Sequence, residues 1–203
     1  MTHLVGIAYL VSSFLAGSIP FGYLIGRFAY RTDIRKHGSG NIGAMNALRT
    51  LGRGGAIAVL VFDAAKGAVP VVAATWIPGM NDHAAALGAA AAVLGHCFSP
   101  WLNWKGGKGV ATAVGGVFAL CWPAGLVIVA VWVLGALVVS KYSSVGSMAA
   151  AIASPFALYF FTHSLAVAGF GVFLALFIPW THRENIARLR AGTEGPIGLF
   201  GRK

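Results

Sequence analysis

Apolar runs over roughly 4–28, 55–77, 83–100, 122–139, 145–162 and 164–181, with a shorter one at 109–121, take up most of this 203-residue chain. A bilayer core about 30 Å thick needs about 20 helical residues to cross it. Lipid offers no partner to a backbone N–H or C=O, so runs of this kind fold as helices that satisfy their own backbone. The chain is 58% hydrophobic and 10% charged, where a soluble domain carries about 25% charged residues. Its polar residues are too few to cover a globule in water. The expected fold is therefore all-α and polytopic: seven transmembrane helices in a single membrane-embedded domain over 1–203. The run at 109–121 would rise about 20 Å, so it crosses only a thinned bilayer or by extending into the loop before it. The first run lacks a basic leader and a clear cleavage site, which points to a retained helix rather than a signal peptide.

Charge sets the expected orientation. With seven spans and the N-terminus outside, the inside segments are 27–54, 101–109, 140–144 and 182–203, and they hold 14 of the 15 lysines and arginines. The remaining one, Lys66, lies within a span. Fusing 109–139 into one helix would export Lys141 and the basic tail, against the positive-inside rule. The net charge of +10 is thus spread through loops beside anionic headgroups; no basic face for nucleic acid is formed. Cys97 and Cys121 lie in apolar segments without metal or redox spacing and are expected to be small core residues.

Three motifs fall on the predicted inner side. The first is Gly38-Ser39-Gly40-Asn41-Ile42-Gly43-Ala44-Met45-Asn46, with Arg49 following. Its glycines permit tight turns, Ser39, Asn41 and Asn46 add hydrogen-bonding groups, and Arg49 offers a fork that binds phosphate bidentately. A plain loop turn with positive-inside charge would use the same residues. The second, Lys105-Gly106-Gly107-Lys108-Gly109, runs into the short span. It lacks Walker spacing, but a glycine loop entering a helix N-terminus presents N–H groups and a positive dipole end to an anion, and the two lysines reinforce it. Lysines beside a span also serve as snorkelling anchors. The third is His182-Arg183-Glu184-Asn185-Ile186-Ala187-Arg188-Leu189. His182 and Asn185 share a helical face, and histidine titrates near neutral pH unassisted. A basic surface helix would carry the arginines equally well. Ser143, Ser144 and Ser147 form a further polar cluster at a span end. Asp63 and Lys66, three apart within a span, are expected to be a structural ion pair or to line a cavity, since charges at that depth are costly and usually paired. His96 has no assignment from the sequence.

Several chemistries are missing their patterns. No His-x4-Asp, His-Glu-x-x-His or Gly-x-Ser-x-Gly sequence occurs, and five acidic residues in the whole chain make a magnesium cage implausible. A reaction on an anionic substrate without metal or cofactor is what these residues suit. A small-anion transporter would also use glycine loops and basic residues, but it needs polar groups through both halves of the bilayer, and the outer halves here are almost wholly apolar. A non-catalytic lipid-binding protein would have no need of His182 and Asn185.

At these motifs the sequence resembles the bacterial acylphosphate-dependent glycerol-3-phosphate acyltransferases, small integral membrane enzymes of phospholipid synthesis. The likeness includes Gly17-Ser18-Ile19-Pro20-Phe21-Gly22-Tyr23, the first motif with Leu48-Arg49, Asp63-Ala64-Ala65-Lys66-Gly67, Gly95-His96, Lys105 to Thr112, and His182-x-x-Asn185-Ile186-x-Arg188-Leu189-x-x-Gly192-Thr193-Glu194. Met45 departs from it, where the family usually has threonine. The resemblance implies that glycerol 3-phosphate attacks an acyl phosphate through its 1-hydroxyl, giving lysophosphatidic acid and phosphate, at the cytoplasmic face of a bacterial inner membrane. It carries over Ser39, Arg49, Lys108, His182 and Asn185 as site residues, and Ser147 before Ser144 from the serine cluster. Glu194 corresponds to a residue that holds the third motif together. The partners implied are glycerol 3-phosphate, acyl phosphate and membrane lipid, with no nucleic acid. The role of His182, general base or substrate binder, stays open.

Overall fold

The structure, a computed structural model, describes residues 3–197. Arg202 and Lys203, which enter the charge argument, lie outside the described residues. The described residues are helices and connecting turns, and they fall into two compact units, Met1–Leu120 and Cys121–Lys203.

The first unit holds α1 (His3–Ser18), α2 (Phe21–Ala29), α3 (Ala44–Thr50), α4 (Gly52–Trp76), α5 (Asp82–Cys97) and α6 (Val110–Leu120). The second holds α7 (Trp122–Val133), prolonged by a π-helical turn over Leu134–Val139, then α8 (Ser143–Thr162), α9 (Leu165–Thr181) and α10 (Arg183–Arg190). Five segments are long and apolar enough to cross a membrane: His3–Ala29, Gly52–Trp76, Asp82–Leu102, Trp122–Val139 and Ser143–Thr162. A sixth arises if α9 and α10, bent by 55° at their junction, count as one. The 11 residues of α6 rise about 16 Å, roughly half of a bilayer core.

Where the sequence suggests one unbroken helix over 4–28, the structure has a break. Pro20 has no N–H to continue the ladder, and α1 stops at Ser18. The two carbonyls freed there find other donors. Ser99 Oγ donates to the Ser18 carbonyl at 2.7 Å, and Lys66 Nζ donates to that of Ile19 at 2.8 Å.

Packing within each unit relies on small residues. Lipid is as apolar as leucine, so hiding apolar area does not drive helices together in a bilayer; close backbone approach and dispersion do. In the first unit a Cβ on Gly17 would overlap the Ala92 backbone of α5, and Cβ atoms on Gly67 and Gly115 would overlap the facing backbones of α6 and α4 at Thr112 and Ala64. In the second, Gly146 faces the Trp132 carbonyl and Gly171 faces Pro155. Large apolar side chains such as Leu4, Phe28, Phe156, Leu165 and Leu176 point outward and are largely exposed. This inversion of the water-soluble pattern is what lipid solvent selects.

Candidate active site

In the first unit, the segment after α2 is built around Asn46. This residue is 1% exposed. Its Nδ2 donates to the carbonyls of Ile34 and Asn41 at 2.8 and 2.7 Å, and its Oδ1 accepts the Ser39 N–H at 2.9 Å. Asn41 Oδ1 in turn accepts the Gly43 N–H at 2.9 Å. Both asparagines, expected among the substrate-binding residues, therefore engage the loop's own backbone. Gly38 has φ +58° and its absent Cβ leaves space for Asn46 Oδ1, so only glycine suits that position. The organised loop leaves Ser39 exposed and feeds α3, whose last turn carries exposed Arg49. Ahead of it, the guanidinium of Arg35 grips Asp33 at 2.7 Å and holds that carboxyl down at about 2.

The second motif is tied to the end of α5. Gly106 N–H donates to the Cys97 carbonyl at 2.9 Å and Gly107 N–H to that of His96 at 3.0 Å. This differs from the expectation that these glycines present N–H groups to an anion. Their lack of a side chain serves close approach instead: a Cβ on Gly106 would overlap the His96 carbonyl, and one on Gly107 would overlap His96 Nε2. Gly109, at φ +82°, turns the chain into α6. Lys105 is exposed and Lys108 half-buried. Both motifs rest on one small core of Ile34, Ile42 and Leu102, with Tyr23 and Leu51 against it. Leu102 belongs to the lead-in of the second motif, so this core brings the two motifs to one end of the first unit.

Asp63 and Lys66 form an ion pair at 2.8 Å, with side chains 1% and 3% exposed. This is the structural pairing that their spacing allows. His96 Nδ1 lies 3.6 Å from the same Asp63 oxygen. The signal for His96 in the sequence is a polar residue three positions before a Ser-Pro pair at the end of an apolar helix.

In the second unit the third motif starts at the bend between α9 and α10. His182 is 4% exposed, and its Nδ1 stands 2.8 Å from the Ile178 carbonyl. A carbonyl can only accept, so Nδ1 carries a hydrogen, and in the neutral ring Nε2 holds the lone pair. Around Glu194 three donors converge. Ser144 Oγ and Asn185 Nδ2 donate to Oε1 at 2.9 and 2.5 Å, and Arg188 Nε donates to Oε2 at 2.7 Å. Burial pushes this carboxyl up, but the bonds from Asn185, Arg188 and Ser144 outweigh it and hold it below the usual range. The clamp joins the first turn of α8 to α10. Ser147 lies elsewhere: its Oγ donates to the Ser143 carbonyl at 2.9 Å and accepts from Trp132 Nε1 at 3.3 Å. Of the two serines, Ser144 is the one hydrogen-bonded into the Glu194 cluster.

Comparison with known proteins shows the family. Residues 7–192 match the family model for glycerol-3-phosphate acyltransferase. The chain belongs to the glycerol-3-phosphate acyltransferase family. A member from Rhodopseudomonas palustris strain HaA2 is 46% identical over 192 residues, covering 95% of both chains. One from Gloeobacter violaceus is 45% identical over 190 residues, covering 92% of both. Among solved structures, the integral membrane glycerol 3-phosphate acyltransferase PlsY in its glycerol 3-phosphate form is similar, with a TM-score of 0.88 and 34% identity over 97% of this chain and 100% of that one. Its lysophosphatidic acid form gives 0.87 and 33%. The family match takes in all three motifs, and the all-helical, polytopic architecture is that of an integral membrane protein.

Proposed function

We propose that this protein transfers a fatty acyl group from an acyl phosphate to the 1-hydroxyl of glycerol 3-phosphate, releasing lysophosphatidic acid and inorganic phosphate. This is an early step in building phospholipids. The observation that carries the reading is the match along nearly the whole chain to a glycerol 3-phosphate acyltransferase solved with glycerol 3-phosphate. The acyltransferase domain of this reading spans 1–203. The reaction proceeds at the cytoplasmic face of a bacterial inner membrane, with the N-terminus outside and seven helical passes, α6 being the short one.

The chemistry fits the residues. An acyl phosphate is a mixed anhydride with a good leaving group, so placing the two reactants supplies much of the rate. Two phosphates, one on each substrate, need cations: Arg49 binds as a planar fork, and Lys105 and Lys108 add point charges. Ser39 contributes a hydroxyl, and Asn41, Asn46, Gly106, Gly107 and Gly109 keep the loops in shape. The same cations stabilise charge growing on the departing phosphate. With its Nδ1–H directed to Ile178, a neutral His182 has its lone pair on Nε2. That atom suits a hydroxyl, which donates, better than a phosphate oxygen, which cannot. His182 therefore orients the attacking 1-hydroxyl, and Asn185, set by Glu194 together with Ser144, steadies the same substrate. Ser147 supports α8 against α7. The proton leaves with the hydroxyl oxygen's attack on the carbonyl, and the released phosphate can accept it.

The test is an assay of purified protein with glycerol 3-phosphate and acyl phosphate, acyl-CoA or acyl-carrier protein offered in turn. Acyl phosphate is used; equal rates with acyl-CoA would remove the donor assignment. Arg49→Lys lowers kcat/KM for glycerol 3-phosphate roughly ten- to a hundredfold, the loss of one charge-assisted contact of about 1.5–3 kcal/mol. In His182→Gln, a raised KM marks an orienting group. Normal binding with turnover about a thousandfold slower marks a general base. Impermeant cysteine labelling at Asn81 and Ser143 reads the orientation, with only the Asn81 position expected to react from outside.

A further inference from the structure

Three buried polar residues of the first unit, Lys66, Asp63 and His96, lie in a line that the reaction itself does not use. It begins at the break between α1 and α2, where the Ile19 carbonyl accepts from Lys66 Nζ at 2.8 Å. Lys66 pairs with Asp63 at 2.8 Å, and Asp63 Oδ1 faces His96 Nδ1 at 3.6 Å. The other edge of the His96 ring lies against Gly107, and the His96 backbone carbonyl accepts the Gly107 N–H at 3.0 Å. Asp63, Lys66 and His96 are 1%, 4% and 3% exposed. A second strand of contacts runs alongside. Ser99 Oγ donates to the Ser18 carbonyl at 2.7 Å, and Trp101 Nε1 donates to Ser18 Oγ at 2.8 Å.

The two ends of this line carry the two anion motifs of the unit. Beyond the break, α2 packs on the first motif: Gly22 abuts the Ile42 carbonyl. At the other end is the Lys105–Gly109 loop. An ion pair alone would be satisfied by Asp63 and Lys66. The third member, a histidine, stands between that pair and a glycine whose position admits no methyl group. What it fixes is how far the loop can settle toward α5.

We propose that His96, standing beside the Asp63–Lys66 pair, is a positioning residue that sets the Lys105–Gly109 loop for phosphate binding. The inference rests on the functional reading above. The imidazole is a spacer with Nδ1 3.6 Å from Asp63 Oδ1 and its Nε2 edge against Gly107, so Lys108 and the start of α6 are registered against α5.

A size swap in the purified full-length enzyme tests this, with KM for glycerol 3-phosphate, KM for the acyl donor and kcat measured for each variant. Gly107 does not have a positive φ, and the three atoms nearest to an added Cβ all belong to the His96 ring. Gly107→Ala thus probes that contact first. A displaced binding group costs up to about a hundredfold; Gly107→Ala and His96→Ala are each expected to raise KM for glycerol 3-phosphate about tenfold or more, with kcat and the donor constant changed far less. In the double variant His96→Ala/Gly107→Ala the methyl group occupies space the ring has vacated, and KM falls back below that of Gly107→Ala alone. Gly106→Ala is the control. Its clash is with the His96 backbone carbonyl, which every substitution at 96 keeps, so His96→Ala gives it no relief.

A harmless Gly107→Ala, a double variant no better than Gly107→Ala, or equal relief of Gly106→Ala would each overturn the proposal. If His96→Ala lowers the thermal unfolding midpoint enough to lose folded protein, His96→Asn, which keeps a polar group toward Asp63, takes its place in the same comparison. Wild-type protein that binds glycerol 3-phosphate in calorimetry but does not acylate it defeats the functional reading alone. The variants are then compared by binding constant. Wild-type protein that does not bind it defeats both.

Discussion

Two carboxylates organise this molecule, and they are treated differently. Asp63 lies among the spans, 1% exposed, with one cation at 2.8 Å and its Oδ2 without a hydrogen-bond partner among the described residues. Glu194 lies beyond the last helix and receives three hydrogen bonds on its two oxygens. Asp63 has Lys66 as its close ionic partner, with His96 Nδ1 farther off at 3.6 Å. Glu194 divides its charge among Ser144, Asn185 and Arg188. The first arrangement is a joint that fails as a unit; the second is a clamp that weakens in steps. Both shape the loops bearing the candidate site from outside the set of residues assigned to touch substrate.

The largest effect expected from that contrast is at Lys66. Lys66→Met strands a buried carboxylate and destabilises the protein by about 3–5 kcal/mol, read as a fall in the thermal unfolding midpoint in detergent. Asp63→Asn/Lys66→Met removes both charges and recovers most of the loss. A double variant as unstable as the single one would break the comparison.

Glu194→Gln comes next. It keeps the shape but takes charge from Arg188 and places an amide hydrogen among donors, for a loss of about 3 kcal/mol. The pH dependence sharpens this. Because the folded carboxyl titrates below its ordinary value of about 4.3, its contribution is fully present above that value and fades as pH falls through the lowered folded value. The Gln variant loses that portion of the acid-induced destabilisation, which an unfolding series from neutral to acid pH measures.

Ser144→Ala removes one of the three donors and leaves Glu194 still paired, so about 1.5 kcal/mol is expected. The effect should shrink further in the Glu194→Gln background, since the two side chains share one interaction. Asp33→Asn closes the series. Its pair with Arg35 sits at the surface, where such pairs contribute about 0.2–1 kcal/mol. That share persists above the ordinary aspartate value near 3.9 and disappears as pH falls toward the folded value of about 2.

Much of this was legible before any coordinates. The seven apolar runs correspond to helical segments, since their length and hydropathy leave lipid as the only solvent that fits. The three motifs stood out because glycine and cations between apolar runs have few other uses. Less legible was what each polar group faces. Asn46 and Arg49 sit three residues apart on the same short helix, yet one is buried in the loop's own backbone and the other is exposed. Nothing in the spacing of Gly106 and Gly107 says that their N–H groups point to α5. Ser144 and Ser147 both follow the same turn, and only distance to Glu194 separates them.

The sequence by itself determined the solvent, the secondary structure and the family, because these depend on composition, run length and ordered motifs that are local in the chain. Tertiary structure alone decided which donors capture the two carbonyls at the Pro20 break, which serine reaches Glu194, and the place of His96 between Asp63 and Gly107. Each of those depends on a partner many residues away. A hydrogen bond or a close contact is fixed by where two atoms end up in space, and a one-dimensional pattern does not encode that position.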